Sequence, residues 1–209
     1  MTVVAENSIA SQFLARLWSA VLPTYMRAEE QQRVAHFVSA FDPAYLERLP
    51  LPLKGERSEA QTVALVDDAE FHREVSNDAI EAAYQERRRT RVYEGMDARS
   101  DGWYSVTALQ LARLARCRVA CSMYESSSGD RNIGAHVDQW LGAIVQMRGA
   151  KSWTLWPSAD GEPQQIITRT GDVLLIPRDI KHEVTQGPGV CPDRPGLGRL
   201  IMLAGLGSR

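Results

Sequence analysis

Apolar positions follow two regimes along the chain, and the change from one to the other falls near Arg118. In the first, Ile9, Phe13, Leu14, Leu17 and Trp18 recur at the spacing of one helix face, and Asn7 or Ser8 stands ready to cap the first turn. This predicts a helix that stops before Pro23. Val34, Phe37, Val38 and Phe41 repeat the spacing and predict a second helix, packed on the first and ending near Asp42-Pro43. The stretch "LPLPLKGERSE" (49–59) reads as a loop, since its prolines and glycine break both periodicities. Mixed helical signals return around Ala79 to Tyr84. The charge run "ERRRTR" (86–91) reads as a solvated helix end leading into a strand at Val92-Tyr93, with contact to an acidic substrate as the alternative. Val106, Leu109 and Leu114 predict one more amphipathic helix.

From Arg118 onward the pattern becomes short β-type runs divided by turns: "RVACSMY", "LGAIVQM", "SWTLW", "QQIIT", "DVLLIP" and "RLIMLAG". Strands so short and so closely spaced make a sandwich or a barrel-like jelly roll. A chain of 209 residues fits a single domain with a core of its own. The expected organisation is one domain over 1–209, with a mostly helical part over 1–117 that includes a strand near 91–95, and a jelly-roll core over 118–209.

Bulk properties change this picture little. A formal net charge of −2 makes no electrostatic case for nucleic acid or a membrane surface, so any partner has to be read from a site. Cys117, Cys121 and Cys191 form no CxxC pair and no Cys/His cluster, which implies reduced thiols in a cytosol-like compartment. The N-terminus has no basic region before its apolar residues, and no apolar run approaches membrane-spanning length. A soluble, cytoplasmic protein is expected.

The chemistry concentrates in "GAHVDQWLGAIVQMRGAKSW" (134–153) and "GDVLLIPRDIKHEV" (171–184). If the chain near His136 is extended, His136 and Asp138 project from the same face. A third group can come from a neighbouring strand, and His182 is the best candidate: an apolar strand follows a Gly-Asp turn, and Pro177 takes the chain out of the ladder just before it. Two imidazoles and a carboxylate leave positions open on a metal, the arrangement of non-heme Fe(II) oxygenases. Lys151 follows the turn at Gly149-Ala150 and, in a strand, shares a face with Trp153 and Leu155, so it points inward. A buried ammonium needs a partner, and a dicarboxylate cosubstrate would supply one. Taken singly, a His-x-Asp pair, a histidine beside Glu183 or a hairpin lysine is more often ordinary surface; their occurrence in this order carries the reading. His36 and His72 have no such company and are assigned to packing or solvent.

These residues resemble the JmjC-type, cupin-fold Fe(II)/2-oxoglutarate oxygenases, and within them the ribosomal-oxygenase branch. "HVDQWLGAIVQMRGAKSWTLWPS" is similar to the family's His-x-Asp strand, its hairpin, and its cosubstrate-binding lysine or arginine with the strand that follows. "GDVLLIPRDIKH" resembles the segment that brings the second histidine, "QFLARLWSAVLP" the opening helix, and "CSMYES" the strand before the motif. The resemblance implies an α+β, mainly β fold: a double-stranded β-helix (jelly-roll/cupin) core with an N-terminal helical region. It implies that His136, Asp138 and His182 bind Fe(II), that Lys151 holds the distal carboxylate of 2-oxoglutarate, and that Tyr124 and Ser122 lie near the cosubstrate. Ser122 stands where relatives often carry asparagine.

The implied reaction consumes O2 and 2-oxoglutarate, releases succinate and carbon dioxide, and hydroxylates a C–H bond of an amino-acid side chain, such as the β-carbon of histidine or arginine. The chain ends soon after the last strand, whereas ribosomal oxygenases continue into further segments, so a peptide, such as a natural-product precursor, is favoured over the ribosome as substrate. Trp140, Arg131, Tyr104 and the loop 126–134 are candidate pocket walls. Alternatives are a small-molecule hydroxylase or N-demethylase, a metal-binding cupin without oxygenase activity, and a peptide-binding pseudoenzyme. Neither nucleic acid nor membrane is an expected partner, and a homodimer is allowed.

Overall fold

A computed structural model describes residues 3–51, 62–68, 70–74, 76–98, 102–158, 161–187 and 197–205. Helix α1 (Val3–Gln31) does not stop at Pro23 but runs through it. Proline in a helix interior costs about 3 kcal/mol, yet the apolar face continues past it, with Phe13, Leu17, Val21 and Ala28 all buried. Burial of that face outweighs the local penalty.

The expected second helix is absent. Ala35–Phe37 is strand β1, Pro43–Glu47 is a single short helix α2, and Asp42 caps it by accepting from the Ala44 N–H. A run so short fits either period, and tertiary context decides it. Strand β10 (Val173–Ile176) presents a free edge, and β1 pairs along it with Ala35 opposite Leu175 and Phe37 opposite Val173. The Gly-Asp turn before β10 fixes this join. Gly171 has φ +99°, and a Cβ there would lie 2.4 Å from the Phe41 carbonyl oxygen. Asp172, buried, accepts from the Ser39 and Arg169 N–H groups and lies 3.1 Å from His36 Nε2.

The N-terminal part also holds a hairpin that the apolar pattern did not predict, β2 (Thr62–Asp67) with β3 (Glu70–Arg73). Helix α3 (Asn77–Glu86) and strand β4 (Thr90–Glu94) follow as expected. Helix α4 (Trp103–Ala115) is where the spacing placed it, but with its face turned: Trp103, Tyr104, Thr107, Ala108 and Leu111 are buried and Val106 packs against them, while Leu109 and Leu114 are exposed. The loop expected at 49–59 lies largely outside the described residues, and so does Cys191.

The remaining strands are β5 (Arg118–Ser126), β6 (His136–Val137), β7 (Leu141–Gln146), β8 (Ala150–Trp156), β9 (Gln164–Arg169), β11 (Lys181–Gln186) and β12 (Leu197–Gly205). They form an eight-stranded sheet, ordered β1-β10-β7-β12-β5-β4-β2-β3, and a four-stranded sheet, β6-β11-β8-β9, with antiparallel pairings. The fold is mainly β, a jelly-roll core with a helical N-terminal region.

Two apolar layers use opposite faces of the large sheet. Leu141, Ala143, Val145, Val173 and Leu175 join α1 and α4 in one layer, and Ile144, Leu174 and Ile176 join Trp153, Leu155, Ile166 and Val184 of the small sheet in the other. Strands β7 and β10 are therefore covered on both sides, which is why they read as continuous apolar runs. The second layer is the barrel interior. Among the described residues no helix is long and apolar enough to cross a membrane.

Candidate metal centre

Strand β6 lies antiparallel to β11 with His136 directly opposite His182. Residues facing each other in an antiparallel pair project from the same side, and the two imidazole centroids are 4.3 Å apart. Asp138 follows two residues after His136, on the same side. Its carboxylate oxygens lie 3.9 Å from His136 Nε2 and 3.7 Å from His182 Nε2. One ligand atom from each of the three residues falls within 4.8 Å of the others. The register of β6 on β11 thus brings together two histidines that are far apart in the sequence.

Both imidazoles are oriented in the same way. His136 Nδ1 lies 3.0 Å from the Gly134 carbonyl, and His182 Nδ1 lies 3.0 Å from the Ile180 carbonyl. A carbonyl only accepts, so each Nδ1 carries a hydrogen, and each ring turns its Nε2 toward Asp138. Backbone acceptors of this kind are the usual support of metal-binding histidines. The Asp138 carbonyl accepts from the Asp179 N–H at 2.8 Å, which ties the β10–β11 turn to the cluster. His182 is buried, whereas His136 and Asp138 are partly exposed, so the cluster opens to solvent on their side.

Inside the barrel, β8 alternates as expected: Lys151, Trp153 and Leu155 are buried, and Ser152 and Thr154 are less so. Lys151 donates to the Ser126 hydroxyl, itself buried. Leu155 pairs with His182 across β11, so Lys151 lies four residues deeper along β8, about 13 Å at the rise of a strand. A lysine side chain and a short dicarboxylate together span that length. On β5, Val119, Cys121 and Met123 belong to the helical layer, so Ser122, Tyr124 and Ser126 face the interior. Tyr124 packs on the interior apolar layer. Thr168 pairs with Lys151 across β9, accepts from Trp153 Nε1 at 3.0 Å and donates to Gln146 Oε1 at 3.2 Å.

Thr168 and Gln146 were not singled out in the sequence, and Ser126 entered only as the first residue of the loop 126–134. The available signal was positional: Ser126 follows Tyr124 by two residues, hence on its face. Tyr104 is not at the cluster. It lies in the helical layer, and its hydroxyl donates to the Pro50 carbonyl at 2.6 Å. Trp140 and Val137 flank Asp138 and are exposed. His36 pairs with Asp172, and His72 is largely exposed 3.5 Å from Glu70.

The charge run has more work than a solvated helix end. Arg87, Arg89 and Arg131 surround the buried Asp67, with Arg131 Nη1 at 3.4 Å and Arg89 Nε at 3.9 Å. Arg88 lies 3.2 Å from Asp130, which also accepts from the Tyr84 hydroxyl at 2.9 Å. The Arg131 carbonyl accepts from the Thr90 N–H at 2.8 Å. The arginines staple the loop that delivers His136.

This double-stranded β-helix with a His/Asp/His cluster at its mouth defines a cupin-fold protein. Residues 92–191 match the family described as the JmjC domain, and the fold of the chain is similar to that of a ribosomal oxygenase. The fold is similar to solved structures of YcfD, a ribosomal oxygenase from Escherichia coli. The complex with cobalt and succinic acid aligns with a TM-score of 0.57 and 16% identity, over 90% of this chain and 52% of that one. Another YcfD crystal structure gives 0.54 and 16%, over 89% and 52%. The complex with cobalt and 2-oxoglutarate gives 0.50 and 16%, over 88% and 50%. The chain spans about half the length of these proteins. No curated protein sequence matches it.

Proposed function

We propose that the chain is an Fe(II)- and 2-oxoglutarate-dependent dioxygenase that hydroxylates an unactivated C–H of an amino-acid side chain in a peptide or protein. The observation that carries this reading is the convergence of two histidines, each with Nδ1 on a backbone carbonyl, and one carboxylate, with a buried lysine on the wall behind them. The donor set fits a ferrous ion with positions left open. His136, Asp138 and His182 would hold the iron. Lys151, with Ser126 beside it and Tyr124 and Ser122 on the facing strand, would hold the distal carboxylate of 2-oxoglutarate. When bound, the iron supplies the coupling of O2 and 2-oxoglutarate to succinate, carbon dioxide and one oxygen atom inserted into the substrate.

The residues of the chain bind, orient and exclude water. Lys151 fixes one end of the keto acid and so sets the direction from which its other end reaches the cluster. The apolar layer of Trp153, Leu155, Leu174 and Ile176 keeps the buried side dry. Substrate enters where His136 and Asp138 are exposed, past Val137 and Trp140. The cobalt and 2-oxoglutarate bound to YcfD support this choice of metal and cosubstrate, and the likeness to a ribosomal oxygenase supports a protein or peptide substrate. The free thiols Cys117 and Cys121 support a reducing, cytoplasmic setting, and the shared layer between α1, α4 and the large sheet supports a single domain.

Anaerobic addition of 2-oxoglutarate to the Fe(II)-loaded protein is expected to give a weak visible charge-transfer band, and aerobic incubation is expected to release succinate. His136→Ala should abolish both. An iron-loaded wild-type protein with neither signal would overturn the assignment. Mass spectrometry of a peptide panel for the gain of one oxygen atom identifies the substrate class. Loss of a methyl group instead would favour N-demethylation.

A further inference from the structure

Strand β6 has only two residues, His136 and Val137, and so few ladder bonds do little to hold an imidazole in place. The loop before it supplies the missing constraint. Asn132 Nδ2 donates to the Val184 carbonyl at 3.0 Å, on the strand that carries His182. Its Oδ1 accepts from the Gly134 N–H at 2.8 Å, and its own carbonyl accepts from the Asp68 N–H at 2.9 Å. Gly134 sits at φ +73°, where a side chain is disfavoured, and a Cβ there would come within 3.1 Å of Asp68 Oδ1. The Gly134 carbonyl is the acceptor of His136 Nδ1.

We propose that Asn132 is a positioning residue for His136: it clips Gly134 to β11 and so aims the carbonyl that fixes the tautomer and rotation of the ring. His182 receives the same service from Ile180, which is buried in the barrel wall and needs no clip. The inference rests on the reading of His136 as a metal ligand. Removing a group that supports a metal-binding histidine weakens affinity by roughly 10–100-fold.

The test compares wild type, Asn132→Ala and Tyr84→Phe. The last removes the Tyr84–Asp130 bond and loosens the same loop without touching Gly134. Long-range nitrogen–proton NMR of the metal-free proteins reads the His136 tautomer, and calorimetric titration with cobalt(II) alone reads affinity. The expected result is a proton on Nδ1 in wild type and Tyr84→Phe, mixed tautomers in Asn132→Ala, and cobalt binding weakened by about 10–100-fold in Asn132→Ala only. An unchanged tautomer and affinity in Asn132→Ala, or an equal loss in Tyr84→Phe, overturns the proposal. If Asn132→Ala does not fold, wild type still decides: a slowly exchanging Gly134 amide with an Nδ1-protonated His136 supports the clip, and rapid exchange or a proton on Nε2 overturns it. Wild-type protein that binds no cobalt overturns the metal-centre reading instead, while the metal-free tautomer still tests Asn132.

Discussion

Lys151 is a charged group at 6% exposure, and the interior around it is mostly apolar, with hydroxyls and an amide nearby. A charge-assisted hydrogen bond is worth about 1.5–3 kcal/mol, so Lys151→Ala is expected to raise the half-saturating 2-oxoglutarate concentration by roughly 10–100-fold. Cobalt affinity without cosubstrate should stay near wild type, because Lys151 lies four residues along β8 from Leu155, the partner of His182. Succinate release measured across 2-oxoglutarate concentrations checks the first expectation, and calorimetry the second. Burial also sets a pH limit. It pushes the Cys121 thiol well above its ordinary range and raises the Tyr45 phenol, the latter partly opposed by Arg16. In the unfolded chain these groups lose protons at their usual values, about 8.5 and 10, while in the folded chain they stay neutral. Their contribution is therefore complete below about pH 8.5 and declines as pH rises through 9 and 10. Urea denaturation from about pH 7 to 10 should show falling stability, less steeply in Cys121→Ala.

At the scale of elements, local signals and tertiary demands part company at identifiable places. Pro23 reads as a helix stop, yet α1 continues because its apolar face goes on finding a partner surface. Pro23 is exposed and still lacks the N–H that would reach the Ser19 carbonyl. Pro23→Ala is accordingly expected to stabilise the protein by about 1–3 kcal/mol, a rise of several degrees in Tm by calorimetry. The segment Val34–Phe41 shows the opposite conflict. Its spacing fits a helix, but the free edge of β10 and the acceptors on Asp172 draw it into a strand and a turn. In α4 the spacing found the helix and placed Val106 on the core, but misplaced Leu109 and Leu114, which are no less apolar than the residues buried. By contrast, the period-two alternation of β8 is legible in the sequence alone and places Lys151 inward.

Across the whole molecule, the two apolar layers on opposite faces of the large sheet divide stability from chemistry. Phe13 is fully buried in the helical layer, with its ring centroid 4.8 Å from those of Phe41 and Trp103. Phe13→Ala should lower stability by about 3–5 kcal/mol, while the cobalt affinity of the folded protein, set on the other face of the sheet, stays near wild type. Chemical denaturation and a cobalt titration read the two separately, and a matching loss of affinity would show that the layers are coupled. By itself the sequence determined the β character of the second half, the inward face of Lys151 and the same-face pairing of His136 with Asp138, because these follow from local periodicity. Only the tertiary structure decided that His182 stands opposite His136, that Asn132 bonds Val184 and Gly134 while Ser126 bonds Lys151, and that 35–37 is a strand. Those depend on register and on free sheet edges, which are relations between segments distant in the chain and leave no mark in the local pattern of either one.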